Sequence, residues 1–388
     1  MAQGAGRYTT TGLNLDIEHR LDEGLVPFLP DDMALQCLLR VPVQSHSRLQ
    51  NVCRKWRDLV NSRKFYEHRK KEGTTRQCVC LSQAITRDNS ESQQRPMFSV
   101  SVSNDRNSWE RLPPIPDFDH QSLPLFSRFA AVEGCLVVLG GWDSITMEEL
   151  RSVYIFSFSS WTWRRSADMP TTRSFFSCGV VQDTILVAGG HDTDKNALRT
   201  AARYKFQEDI WEILPNMHTE RDECASAVLD GNFYVISGYI TSAQGEFRRD
   251  AEVYDPVLNE WKQLDNMCPA DSKAVKPSSI VATAGTLFAF HHNQLIAYSP
   301  AENLWHLMDI IPKDSSGISY ATCVTAIGNS IIVTGPSNTD GDTHRTLVYK
   351  LPSSMDSGND NMCNGRWEML PADENFLGIA QVSCVVEL

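Results

Sequence analysis

The sequence predicts a mainly β chain built from a repeated four-stranded unit, preceded by a small helical segment. Three observations predict it. Apolar runs ending in Gly or a stand-in recur at a period of roughly 50 residues: LVVLGG (136–141), ILVAGG (185–190), FYVISG (233–238), LFAFHH (287–292) and IIVTG (331–335). Each is followed by an aromatic run (VYIFSF, ARYKF, AEVYD, LIAYS, TLVYK) and then by a tryptophan: Trp163, Trp211, Trp261, Trp305 and Trp367. Ahead of the repeats, residues 29–73 place apolar side chains at helical rather than strand spacing.

The repeat reads as a meander of four short strands, because each aromatic or Gly-ending run is bracketed by polar turns such as VQDT before ILVAGG. One meander covers only one side of its apolar surface, so neighbouring repeats must cover the other. The glycines end the second strand where a tight turn needs positive φ. The Trp ring is large enough to wedge between neighbours.

Before the first full repeat lie CVCLSQ (78–83), MFSVSVS (97–103) and Trp109 with ERL, which supply three strands of a further unit. The missing strand is expected from IAQVSCVVEL (379–388) at the other end. Pairing them closes a ring of six units and leaves no exposed sheet edge. The fifth repeat carries His291-His292 where Gly-Gly belongs, and the sixth carries Gly335-Pro336. A metal role for the histidine pair has no visible third ligand, so it reads as a turn.

In the helical segment, Leu29-Pro30-Asp31-Asp32 reads as a helix start with Asp as the cap. Leu35, Leu38 and Leu39 form one apolar face, and Val41-Pro42 stops the helix. Leu49, Val52, Cys53, Trp56, Leu59 and Val60 then form a second amphipathic stripe, and Gly73 follows Lys70 and Lys71 as a terminus. So small a helical unit with this much apolar surface calls for a partner, either the rest of the chain or another protein.

Composition narrows the functional classes. Hydrophobic content of 41% and charged content of 22% suit a globular protein. No apolar stretch reaches the ~20 residues that a membrane span needs. The opening residues lack the features of a signal or transit peptide, and no Asn-x-Ser/Thr sequon occurs. The expected address is cytoplasmic or nuclear, with no membrane partner. Eleven scattered cysteines without a Cys-x-x-Cys pair signal neither disulfides nor zinc, and Cys78 and Cys80 read as small buried hydrophobes. The net charge of −12 is uneven. Residues 29–73 are basic, which suits an acidic partner protein, while residues 74–388 are acidic, which argues against nucleic acid.

These residues carry a resemblance. LPDDMALQCLLRVP (29–42), RLQNVCRKWRDLV (48–60) and the closing Phe65-Tyr66 resemble an F-box, and Gly-Gly, Tyr, Trp in that order resembles the kelch repeat. The resemblance implies a six-bladed kelch β-propeller behind a three-helix F-box. The expected divisions are a tail over 1–24, an F-box over 25–73, and a propeller over 77–388 with one blade split between 78–112 and 379–388. It further implies a Skp-type adaptor as partner, and through it a cullin. Carried over residue by residue, the adaptor contacts fall on Leu29, Pro30, Leu38, Leu49, Val52, Cys53, Trp56 and Leu59. Some of these are expected only to hold the helical fold.

Across both modules the chain resembles a plant group of F-box/kelch proteins, through RLPPIP (111–116), LPLFSRF (123–129), VVLGGWDSIT (137–146), SFFSCG (174–179), VAGGHD (187–192), ERDECASA (220–227), GNFYVISGY (231–239) and AQGEF (243–247). That group is linked to turnover of phenylalanine ammonia-lyase and of cytokinin-response regulators, so the resemblance implies such target proteins. It also implies a target site at the propeller mouth. Arg128, Arg173 and Arg221 precede inner strands there, and Trp142, His191 and Tyr239 follow the glycine pairs. Such a ring would suit an acidic or phosphorylated target segment.

The expected role is a non-catalytic, cofactor-free substrate adaptor of a ubiquitin ligase. No phosphate loop, nucleophile elbow, metalloprotease helix or dinucleotide fingerprint occurs. A copper oxidase on a kelch-type propeller would need a His/Tyr cluster that the scattered histidines do not suggest. A scaffold that binds adaptor and partner without degradation is the alternative reading.

Overall fold

The computed structural model describes residues 24–85, 97–105, 108–118, 122–268, 279–291, 293–314, 317–352 and 365–388. It falls into two compact units, one ending at Thr75 and one beginning at Arg76.

The first unit is helical: α1 (Asp31–Leu39), α2 (His46–Leu49), α3 (Arg54–Val60) and α4 (Arg63–Lys71). Two details depart from expectation. The cap of α1 is Pro30, with Asp31 already helical, because proline's fixed φ suits the helix entry. The Leu49-to-Val60 stripe is not one helix. Cys53 is extended (φ −158°) and caps α3, its Sγ accepting from the Trp56 amide at 3.4 Å. Among its described residues the unit shows four short helices. Its core is Leu38, Leu39, Val60 and Phe65, with Leu35, Leu49, Trp56 and Leu59 packed against it.

The second unit is a six-bladed propeller in which every blade is a four-stranded antiparallel sheet, five of them in sequential order. Blade one combines β1 (Gln77–Ala84), β2 (Phe98–Asp105) and β3 (Ser108–Arg111) with the closing strand Ala380–Glu387. The next five span 128–166, 177–214, 225–264, 280–310 and 323–370. The split blade expected from the sequence is present: Cys78 pairs with Val386 and Cys80 with Cys384. Cys78 and Cys80 are both buried.

Strand period explains the packing. Successive residues of a strand face opposite sides of its sheet, so each blade feeds two inter-blade cores. In blade three, Ile185 and Val187 join the core shared with blade two, while Leu186 and Ala188 join the core shared with blade four. The repeated aromatics sit opposite one another across neighbouring strands: Tyr204 with Trp211, Tyr254 with Trp261, Tyr298 with Trp305. Their ring centroids lie 5.1–5.2 Å apart. The tryptophan also fastens its blade to the linker before it. Trp163, Trp211, Trp261 and Trp305 donate Nε1–H to the carbonyls of Pro113, Ala167, Pro215 and Met267 at 2.6–2.9 Å.

The glycine pairs need positive φ and also lack room for a side chain. Gly190 sits at φ 82°, and a Cβ there would lie 2.4 Å from the Ser174 carbonyl. The sixth blade uses another solution: its second strand continues through Gly335 to Pro336. Of the fifth-repeat pair, His291 ends a strand and His292 lies outside the described residues.

Closure rests partly on His344, whose Nδ1 accepts the Ala380 amide at 3.1 Å. Burial pulls its pKa from 6.5 down to about 4. The folded ring therefore binds fewer protons than the unfolded chain between those values, so stability is complete above pH 6.5 and is lost as pH falls toward 4. The melting temperature should drop by a few degrees across that window, and His344→Gln should reduce the drop. An identical pH profile in the variant would remove His344 from the closure.

Candidate functional site

In the helical unit the structure sorts the eight expected adaptor residues by exposure. Leu38 is buried in the core; Leu29, Leu49, Trp56 and Leu59 are half-buried; Pro30, Val52 and Cys53 are exposed. Leu38 therefore holds helices together instead of meeting a partner. Trp56 is also committed within the unit, donating Nε1–H to the Leu25 carbonyl at 2.6 Å. Two apolar residues outside the expected set are strongly exposed: Phe28, on a left-handed backbone at φ 64°, and Met33 at 55%. Phe28, Pro30 and Met33 flank the Leu-Pro turn, and with Val52 they are apolar groups that the filled core cannot accept.

In the propeller, the mouth lies where inter-blade linkers meet the loops after each second strand. Arg173 and Arg221 are here but do not present charge: they are 1% and 0% exposed. The glycine pair turns backbone carbonyls inward, and a guanidinium is the donor that satisfies several at once. Arg173 donates to the carbonyls of Gly189 (2.9 Å) and Thr200 (3.1 Å), and burial lowers its pKa to about 10. Arg221 donates to the carbonyl of Ser237 (2.9 Å) and to the carboxylates of Asp250 (2.6 Å) and Glu252 (3.3 Å). Arg128 is half-buried and spans two blades, its Nε donating to the Phe176 carbonyl at 2.6 Å. The expected ring of target-facing arginines is thus corrected: two clamp their own blades and one joins its blade to the next.

The aromatic half of the expected site is brought together. Trp142 donates Nε1–H to Ser174 Oγ at 2.8 Å, Ser174 bonds His191 Nε2 at 2.7 Å, and His191 Nδ1 bonds Asp222 Oδ2 at 2.8 Å. Because the Asp222 carboxylate only accepts, Nδ1 carries the proton that faces it, and in the neutral ring Nε2 then accepts from the Ser174 hydroxyl. The order Ser, His, Asp is that of an acyl-transfer triad. Ser174 is fully buried, however, and its hydroxyl also accepts the Trp142 indole N–H. The chain instead ties blades two, three and four at the mouth. Tyr239 lies further on, half-buried, its hydroxyl 3.3 Å from Glu223 Oε1 and its ring edge-on to Phe247.

Two residues missed from the sequence complete the floor. Phe126 and Phe175 stack at 4.6 Å, and both approach Trp142 edge-on. Both sit at left-handed φ (57° and 55°), as does Glu223 (49°), each two residues or fewer before an inner strand begins. Bulky residues rarely accept that backbone, and such strain collects at functional sites. The signal was present in LFSR and SFFS, where a large apolar residue stands just ahead of the inner strand.

No group of three or more His, Cys, Asp or Glu able to hold a metal occurs among the described residues. No helix among them is long and apolar enough to cross a membrane.

Comparison with known proteins identifies both units. Residues 27–68 match the F-box domain, and residues 86–290 match the KLHDC2/KLHL20/DRC7 Kelch-repeats domain. The F-box/kelch-repeat protein At1g80440 of Arabidopsis thaliana is 37% identical over 374 residues, covering 94% of this chain and 99% of the relative. The chain is an F-box/kelch-repeat protein.

A second Arabidopsis thaliana F-box/kelch-repeat protein, At1g15670, is 33% identical with the same coverage. A third, SKIP20, is 36% identical over 67% of this chain and 71% of its own. Among solved structures, "Structure of YjhT" superposes with a TM-score of 0.54 at 12% identity, over 74% of this chain and 97% of that one; it speaks to the propeller fold alone. Membership of the F-box/kelch-repeat family implies a partner for the F-box: a Skp1-type adaptor within a cullin ligase. It also gives the propeller its general role, recognition of substrates for that ligase.

Proposed function

We propose that this chain delivers target proteins to a Skp–cullin–F-box ubiquitin ligase by holding the adaptor at Phe28, Pro30, Met33, Val52 and Cys53 and the target at the mouth of blades two to four. The observation that carries the reading is the division of labour in the helical unit: its core is already filled by Leu38, Leu39, Val60 and Phe65, so the apolar groups outside it are left for another protein. The chain supplies no covalent step; it raises the concentration of target lysines near the loaded conjugating enzyme. The wider resemblance favours phenylalanine ammonia-lyase or cytokinin-response regulators as targets, acting in the cytoplasm or nucleus.

Pro30→Ala with Val52→Glu should abolish co-purification with a Skp adaptor, an affinity loss of about tenfold or more, while the propeller melts as before. Adaptor binding that survives would move the docking face elsewhere. Target abundance that rises on proteasome inhibition would support degradation; unchanged abundance would favour a non-degradative scaffold.

A further inference from the structure

We infer that the mouth takes a basic side chain of its target, a Lys or Arg, in a cradle formed by Trp142, Glu149 and His191, which Lys195 fills when no target is present. This rests on the proposal that the mouth of blades two to four is the target site. The Lys195 ammonium lies 3.7 Å from the Trp142 ring centroid, 2.6 Å from Glu149 Oε1 and 3.4 Å from His191 Nε2. Two of these surfaces are what an ammonium or guanidinium seeks, a π face and a carboxylate, and the imidazole lines the third side.

The receptacle is built and its occupant is loosely held. Trp142 is fixed by Ser174, and His191 by both Ser174 and Asp222. The Glu149 side chain is only 9% exposed, whereas that of Lys195 is 46% exposed. Lys195 stands on a left-handed turn residue (φ 63°) whose amide bonds the Asp192 carbonyl. Its four-carbon stem can rotate outward without disturbing a strand.

Charge favours the same occupant. The two loops that meet at the cradle carry Asp143, Glu148, Asp192 and Asp194 against Arg199 and Lys195 itself, and Glu223 lies 3.3 Å from the Tyr239 hydroxyl. Arg173 and Arg221, which could have reversed that sign, are buried and spent on carbonyls and carboxylates. A cation entering here gains both the local field and the aromatic face.

The test is fluorescence anisotropy of the full-length chain with labelled octa-arginine and octa-glutamate peptides. Octa-arginine should bind and octa-glutamate should not. Lys195→Ala, which empties the cradle, should tighten octa-arginine binding by about three- to thirtyfold. Arg199→Ala, which removes an exposed cation from the same loop, should change it far less. Trp142→Leu and Glu149→Gln should weaken binding by a comparable factor; if Trp142→Leu lowers the melting temperature, Glu149→Gln and Lys195→Ala decide. Preference for octa-glutamate, a Lys195→Ala effect no larger than that of Arg199→Ala, or indifference to Glu149→Gln would each overturn the inference. Target capture that needs Trp142 without any preference for the basic peptide would overturn the cation reading alone. Capture indifferent to the whole mouth would overturn the site on which it rests.

Discussion

Arg221→Glu should leave the propeller unable to fold cooperatively, rather than merely silencing its mouth. The guanidinium is fully buried, and so is Glu252, whose carboxylate lies 3.3 Å away and also accepts the amides of His218 and Thr219. Asp250 adds a second carboxylate at 2.6 Å. Removing one partner from a buried charge pair costs about 3–5 kcal/mol. A glutamate would do more, placing a third carboxylate in the same desolvated space and leaving the Ser237 carbonyl without its donor. Arg221→Lys should fall between, because an ammonium keeps the charge but not the planar fork. Thermal unfolding monitored by tryptophan fluorescence reads the result. A variant that melts within a degree or two of the parent would show that the cluster does not hold the blade.

Deleting residues 379–388 should have an effect of similar size by another route. The deletion removes the inner strand of blade one and leaves β1 with an open edge. It also empties the core that Val79, Leu81, Cys323 and Ile332 share with Ala380, and strips His344 of its bond to the Ala380 amide. The paired amides and carbonyls of Arg76 and Leu388 are lost as well. The expected outcome is loss of the main calorimetric transition and appearance of aggregation. Val386→Asp, at a fully buried position of the same strand, should reproduce much of it. An unchanged transition in both variants would mean that the ring does not depend on its closing strand.

The architecture was legible because it is repetitive. A Gly-ending second strand, an aromatic and a Trp recur at similar offsets in blades two to four, so the pattern in ILVAGG or FYVISG carries register and turn position together. The split blade was legible because three strands without a fourth demand one. Side-chain direction at the mouth was not. A basic residue before an inner strand looks the same in sequence whether it faces solvent or folds back, and Arg173 and Arg221 fold back because the inward carbonyls of Gly189 and Ser237 need donors. Phe126 and Phe175 escaped notice for a related reason: beside strand residues they read as core, and only the left-handed backbone turns them to the mouth. In the helical unit, the break at Cys53 was masked by an unbroken apolar stripe, since periodicity records faces and not the backbone between them.

Pairing β1 with the strand at 380–387 has a consequence for the order of events on the ribosome. The two partners are separated by roughly 300 residues, which at typical elongation rates is about 15 to 60 seconds of synthesis. Throughout that interval β1 has no inner neighbour, while the helical unit ahead of it, with its own filled core, is already complete. The adaptor's docking face therefore exists before the receptor does. A nascent chain can be committed to a ligase while its ring is still open, and a chain interrupted before residue 380 would carry an address for the ligase with an unfinished propeller attached.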